Sequence, residues 1–128
     1  MAVPSFHDNV YDGALAILDN ATAVHVCTAE PANHAGIAAV TVGNYTLTAG
    51  TGNGDWLIAN GDTSGRKLTL LAQSGNNATG TGAADCLAFT DGTTLLGVID
   101  GDGETLNSGS PFTIAATDVL EIRDPVNE

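Results

Sequence analysis

Basic residues are the scarcest feature of this chain. Its 128 residues include three Lys and Arg residues against fifteen Asp and Glu, which gives a formal net charge of −12 with histidine neutral. Nucleic-acid-binding proteins neutralise phosphates with Lys and Arg, and anionic membranes attract basic segments. The sequence therefore predicts that neither nucleic acid nor a membrane is a direct partner.

Large apolar side chains are also few. The chain has one Trp, two Tyr, three Phe and one Met, and small residues fill much of the rest. Hydrophobic stabilisation follows the apolar area that folding removes from water, so a core of small residues stabilises weakly. A chain of this kind often gains stability by association. We expect one domain, residues 1–128, that functions in an assembly.

Long hydrophobic runs and a leader pattern are missing as well. No apolar stretch approaches the length of a membrane span, and MAVPSFHDN lacks the basic and apolar regions of a signal peptide. We expect synthesis in the cytoplasm, where Cys27 and Cys86 stay reduced. Both lie in apolar strand-like runs, which favours buried thiols, with a disulfide between the strands as the alternative.

One segment has helical periodicity. Residues 6–19 place apolar residues at helical spacing after an N-terminal arm of residues 1–5. Ser5 is the expected N-cap, with Asp8 completing a capping box, and Asn20 supplies a stop. We expect the apolar stripe to pack on one side of a sheet; it comprises Val10, Tyr11, Ala14, Leu15, Ile17 and Leu18.

Short strands between turn residues occupy residues 21–124. The predicted strands are 21–29, 37–49, 55–62, 66–73, 85–91, 94–100, 111–116 and 118–124, with a small-residue loop at 74–84. Gly, Asn, Asp and Pro mark the turns between them. Strands at this spacing predict a mainly β protein, an antiparallel β-sandwich or small β-barrel with one N-terminal α-helix.

The stretch VIDGDGETLNSG, residues 98–109, places three carboxylates on alternate residues, as at the start of a calcium loop. A loop beginning at Asp100 requires Gly at its sixth position and Glu at its twelfth, but Thr105 and Pro111 stand there. Asp-Gly-Asp-Gly also suits a tight hairpin connection. We therefore expect a hairpin rather than a metal site, with Asp100, Asp102 and Glu104 at its tip.

Catalytic patterns are weak. The histidines, His7, His25 and His34, are far apart in sequence, and no Ser lies in a Gly-x-Ser-x-Gly elbow. Cys27 and His25 share one face of a strand, which leaves a Cys-His pair open, although a buried structural Cys is the stronger interpretation. We expect no catalytic residues, no cofactor, no metal site and no enzymatic activity.

Several segments resemble a known group of proteins. They are Cys27-Thr28-Ala29-Glu30-Pro31, Gly61-Asp62-Thr63-Ser64-Gly65-Arg66-Lys67-Leu68, Ala72-Gln73-Ser74-Gly75, Leu87-Ala88-Phe89-Thr90-Asp91-Gly92 with Leu95-Leu96, and Asp118-Val119-Leu120-Glu121-Ile122-Arg123-Asp124-Pro125. In this order they resemble small virion structural proteins of tailed bacteriophages, most closely capsid decoration (cement) proteins.

The resemblance implies a non-enzymatic protein on the outer capsid surface of the virion. It implies binding to the major capsid protein, commonly as a homotrimer, and stabilisation of the shell against packaged DNA. The acidic composition is compatible with a surface that faces outward from the capsid shell. We expect the capsid or subunit contacts at Ala2, Val3, Pro4, Ser5, Phe6, Arg66 and Lys67, with the loops 61–67 and 74–84 as second candidates.

Two alternatives to this hypothesis stay open. The arm at residues 2–6 is equally compatible with a frayed terminus or a staple onto its own helix. The protein is also compatible with a carbohydrate- or receptor-binding module on a tail or virion surface, in which Trp56, Tyr45 and Tyr11 would offer stacking faces.

Overall fold

The computed structural model describes residues 5–125. The helices are α1 (Asp8–Leu18) and α2 (Ile37–Val40), the latter preceded by a 3₁₀ turn (His34–Gly36). The strands are β1 (Ala23–Cys27), β2 (Thr41–Thr46), β3 (Trp56–Asn60), β4 (Arg66–Leu70), β5 (Gln73–Asn77), β6 (Gly82–Ala83), β7 (Cys86–Thr90), β8 (Leu95–Asp100), β9 (Thr105–Leu106), β10 (Pro111–Ile114) and β11 (Thr117–Ile122).

The strands form antiparallel sheets around one main core. A four-stranded sheet has the order β2-β1-β7-β8, a three-stranded sheet the order β11-β4-β3, and β10-β5 and β6-β9 pair separately. Trp56 and Phe89 lie fully buried in this core, with ring centroids 5.5 Å apart. The prediction of a mainly β, sandwich-like chain with an N-terminal helix is confirmed.

The four-stranded sheet is covered on its second face. Alternate side chains of a strand point to opposite faces, so Val24 and Val26 enter the main core, while Cys27 packs with Ile37, Cys86 and Ala88 in a second cluster. Ile37 belongs to α2. This short helix therefore protects the face of the sheet that the main core leaves open.

The N-terminal helix is shorter than predicted and has a different cap. His7, not Ser5, is the N-cap: its Nδ1 accepts the Asn9 backbone N–H at 3.1 Å, with the His7 backbone extended. Phe6 precedes the cap and packs edge-to-face on Tyr11, with centroids 6.1 Å apart. This contact between the residue before the cap and the fourth helical residue is a hydrophobic staple, as one interpretation of the arm expected.

Three local predictions between residues 37 and 104 are wrong. The segment 37–49 begins with α2 before it becomes β2, and the loop 74–84 contains β6 and most of β5. β5 has no apolar side chain and is exposed after Gln73, so its sequence lacks the apolar alternation that predicts a strand. Residues 100–104 are not a hairpin tip: β8 pairs with β7, whereas β9 pairs with β6.

Candidate functional site

The outer face of α1 is an exposed apolar surface. Tyr11 and Leu15 are buried against the sheets, whereas Val10 and Ile17 are 58% and 65% exposed, and Phe6 before the helix is 53% exposed. Val10 and Ile17 are seven residues apart and therefore lie on one side of the helix. The predicted stripe thus divides into a buried face and an exposed one. We call Phe6, Val10 and Ile17 the α1 outer stripe.

Phe6 differs from every other aromatic residue of the chain. All six aromatic residues lie within residues 5–125, and Tyr11, Tyr45, Trp56, Phe89 and Phe112 are buried. Single exposed apolar residues are ordinary on protein surfaces, whereas several that are more than half exposed along one helix offer a partner a larger apolar surface. The α1 outer stripe is therefore the first candidate surface.

Arg66 holds α1 against β4. Its Nε donates to Asp12 Oδ1 at 2.8 Å and its Nη1 to Asn60 Oδ1 at 2.8 Å, and Asp8 Oδ2 lies 4.0 Å from Nη1. The hydrogen bond to Asp12 raises the pKa of Arg66. The two acidic side chains of α1 thus face a cation of the same molecule, and the α1 outer stripe lies on a different side of the helix.

Lys67 is bound within the molecule too. Its Nζ donates to Asp62 at 2.8 Å and to Asp118 at 3.1 Å, which raises its pKa. Thr69 also donates to Asp118, and this hydrogen bond, with that of Lys67, lowers the pKa of that carboxyl. The side chains of Arg66 and Lys67 are only 19% and 21% exposed.

The predicted contact residues therefore have different positions. Ser5 and Phe6 are exposed next to α1, and Arg66 and Lys67 join elements of the chain to one another. Ala2, Val3 and Pro4 lie outside the described residues. A contact of any of these residues with a capsid stays a prediction. The sequence pattern did not indicate that Val10 and Ile17 are exposed, because both belong to the apolar stripe that was expected to pack on a sheet.

The Cys27–His25 arrangement does not form a nucleophile pair. The Cys27 thiol donates to the His25 carbonyl at 3.8 Å, and the His25 ring contacts Thr41 Oγ1 at 3.3 Å. Burial raises the pKa of Cys27 to about 12 and lowers that of His25. At neutral pH the thiol is therefore protonated, and a protonated thiol is a poor nucleophile.

Cys27 and Cys86 are direct partners in the β1–β7 register, and both are free thiols. The Cys27 carbonyl accepts the Asp85 backbone N–H at 3.0 Å, and the Cys86 thiol donates to the Ala29 carbonyl at 3.5 Å. The two side chains are close enough to affect each other's pKa.

Tyr45 and Trp56 are anchored in the interior. The Trp56 indole N–H donates to the Ala21 carbonyl at 3.3 Å, and the Tyr45 hydroxyl donates to the Phe112 carbonyl. Tyr11 lies on the buried face of α1, and its hydroxyl donates to Asp124. None of the three rings offers the open stacking face that a carbohydrate-binding module would need.

The acidic segment from Asp100, the last residue of β8, to Glu104 runs along the residues before β7 and is bound to them. Gly101 N–H donates to Asp85 O and Gly103 N–H to Ala84 O, both at 2.9 Å, and Glu104 N–H donates to Asp102 Oδ1 at 2.9 Å. A Cβ on Gly101 would lie 2.2 Å from the Ala84 carbonyl oxygen. Gly101 thus permits a close backbone contact and does not serve a calcium-binding turn.

A cleft of about 530 Å³ opens beside this loop. Its apolar lining includes Leu106, Phe112 and Ile114, and its acidic lining consists of Asp100, Asp102 and Glu104. Within residues 5–125, no group of three His, Cys, Asp or Glu side chains is arranged to hold a metal ion. The cleft is the second candidate surface, and we call it the acidic cleft.

Searches of protein-family models, curated proteins and solved structures found no match to this chain. In the part of the chain that the structure describes, no helix is long and apolar enough to cross a membrane.

Proposed function

We propose that this protein is a non-enzymatic capsid decoration protein of a tailed bacteriophage, which binds the major capsid protein on the outer surface of the head and stabilises the shell. The observation that carries the proposal is the α1 outer stripe. Phe6, Val10 and Ile17 are each more than half exposed, and Phe6 belongs to the N-terminal arm, whose apolar residues we expect to contact the capsid.

The charge distribution supports an outward position. The chain carries −12 formal charges, and Arg66, Lys67 and Arg123 are each paired with a carboxylate of the same chain. Inside a head, an acidic surface of this kind would be repelled by packaged DNA. On the outside, the same charges keep the surface hydrated, and the uncharged α1 outer stripe faces the shell.

The size of the stripe indicates how the contact works. Burying a large apolar side chain completely contributes about 1.5–3 kcal/mol, so the exposed halves of three such residues contribute about 3 kcal/mol in all. This is less than the free energy that association of two proteins costs. Residues 2–5 would extend the contact, and many copies bound side by side would then stabilise the shell together.

The test uses phage heads that lack the protein and are then mixed with purified chain. We expect wild-type chain to bind to saturation, and the double variant V10N/I17N to bind at least about tenfold more weakly because it loses apolar contact area. A16N is the matched control, because Ala16 is exposed on the same helix but lies about 100° of helical rotation from Ile17.

Separate outcomes identify which part of the proposal is wrong. Failure of wild-type chain to bind any head would overturn the capsid function. Saturable binding that is equal for wild type, V10N/I17N and A16N would overturn the α1 outer stripe as the contact. Deletion of residues 2–6 should also reduce incorporation into virions, and unchanged incorporation would remove the arm from the contact.

A further inference from the structure

The acidic cleft has apolar lining residues and charged residues of one sign, all of them acidic. Phe112 and Ile114 of β10 and Leu106 of β9 line it below the loop that carries the carboxylates. Its volume of about 530 Å³ is in the range of sites that enclose small ligands or large side chains. The cleft therefore provides room for an apolar group directly beside negative charge.

The carboxylates of the cleft have no cation of their own among the described residues. The ion pairs in residues 5–125 join Arg66 to Asp8 and Asp12, Lys67 to Asp62 and Asp118, and Arg123 to Glu121. These are all the Lys and Arg residues of the chain. The negative potential at Asp100, Asp102 and Glu104 is thus not neutralised by a basic side chain.

These carboxylates suit a basic side chain rather than a metal ion. They do not form one of the three-ligand groups that hold a metal within residues 5–125, and Asp102 already accepts the Glu104 backbone N–H. An ammonium or guanidinium group has several donors on an extended side chain, so it can bond one carboxylate at the rim while the adjoining apolar group enters the cleft.

We propose that the acidic cleft binds an extended peptide segment of a protein partner, in which a Lys or Arg lies next to a large apolar side chain. The apolar side chain contacts Phe112 and Leu106, and the basic group is bound by Glu104 and Asp100. This site follows from the cleft and its charges and does not depend on the capsid function.

The first experiment compares three blocked dipeptides by NMR titration of the ¹⁵N-labelled chain. Acetyl-Phe-Lys-amide has both required groups, acetyl-Phe-Glu-amide reverses the charge, and acetyl-Gly-Lys-amide lacks the apolar side chain. We expect saturable shifts at the amides of Leu106, Phe112 and Thr113 with the first dipeptide, and a Kd at least about fivefold higher for each of the others because each lacks one contact.

Variants then test the charge. E104Q and D100N should each raise the Kd of acetyl-Phe-Lys-amide by about threefold or more, whereas E30Q, the same change at an exposed residue outside the cleft, should leave it unchanged. Equal binding of all three dipeptides, equal loss in E30Q and E104Q, no saturable shift, or shifts confined to other strands would each overturn the proposal.

Discussion

The hydroxyl of Tyr11 donates a 2.5 Å hydrogen bond to Asp124 Oδ1 and so joins the first helix to the segment after the last strand. The same ring packs against Phe6. Asp124 N–H in turn donates to Ser64 Oγ at 3.1 Å. The position of the α1 outer stripe therefore depends on a contact between residues 113 positions apart.

This contact predicts a specific loss of stability at high pH. The hydrogen bond to Asp124, with burial, raises the pKa of Tyr11 from 10.0 to about 12. Because the folded state holds this proton more tightly than the unfolded state, the stabilisation is complete below pH 10 and is lost as pH rises through 12.

Y11F should therefore be less stable than wild type at neutral pH, and the difference should shrink between pH ~10 and ~12. Urea unfolding at a series of pH values measures it. A difference that stays constant across this interval would show that the Tyr11 proton is not linked to folding.

Replacing Gly13 should stabilise the protein. Gly13 lies in the interior of α1, and a Cβ built there meets nothing within 4 Å. Since Ala has the higher helix propensity and restricts the unfolded chain, G13A should raise the free energy of unfolding by about 0.5–1 kcal/mol. Chemical denaturation with an unchanged slope would confirm it, and a destabilised variant would indicate that α1 packs differently.

Gly101 and Gly103 should respond differently to the same substitution. A Cβ at Gly101 would lie 2.2 Å from the Ala84 carbonyl oxygen, whereas Gly103, at φ +77°, has open space. G101A must move backbone and should cost about 2–4 kcal/mol. G103A has only the left-handed conformation to overcome and should cost about 1 kcal/mol. Equal losses in the unfolding midpoint would argue against the close contact of the loop.

The thiols should react only after unfolding. Burial raises the pKa of Cys27 from 9.0 to about 12 and also raises that of Cys86. For Cys27 this lowers the thiolate fraction about a thousandfold at pH ~8. An aromatic disulfide reagent should label neither thiol in native protein and both in urea. Rapid labelling without urea would contradict the burial of the two thiols.

Local sequence patterns identified most of the secondary structure correctly. Eight of the strands were predicted near their observed positions because alternating apolar residues and Gly, Asn or Asp turns act over a few residues. Burial of Cys27 and Cys86 was predicted for the same reason. The helix was also correct, although His7 replaced Ser5 as its cap, since a cap depends on backbone geometry that neighbouring residue types do not specify.

These local patterns do not predict which strands pair with one another. The sequence does not show that β9 pairs with β6 rather than with β8, or that β10 pairs with the polar strand β5. Such pairing is made by backbone groups that every residue except proline carries in full. The hairpin predicted at Asp100 and the loop predicted at residues 74–84 were wrong for this reason.

The sequence by itself determined the class of the molecule: a mainly β chain with one amphipathic N-terminal helix, a large negative charge and few large side chains. Only the tertiary structure decided which apolar residues are covered. Tyr11 and Leu15 face the sheets, whereas Val10 and Ile17 face outward. In the sequence, all four residues fit the helical period and therefore appear to form one apolar stripe. Exposure depends on where a sheet lies relative to the helix, which contacts between distant residues such as Tyr11 and Asp124 establish.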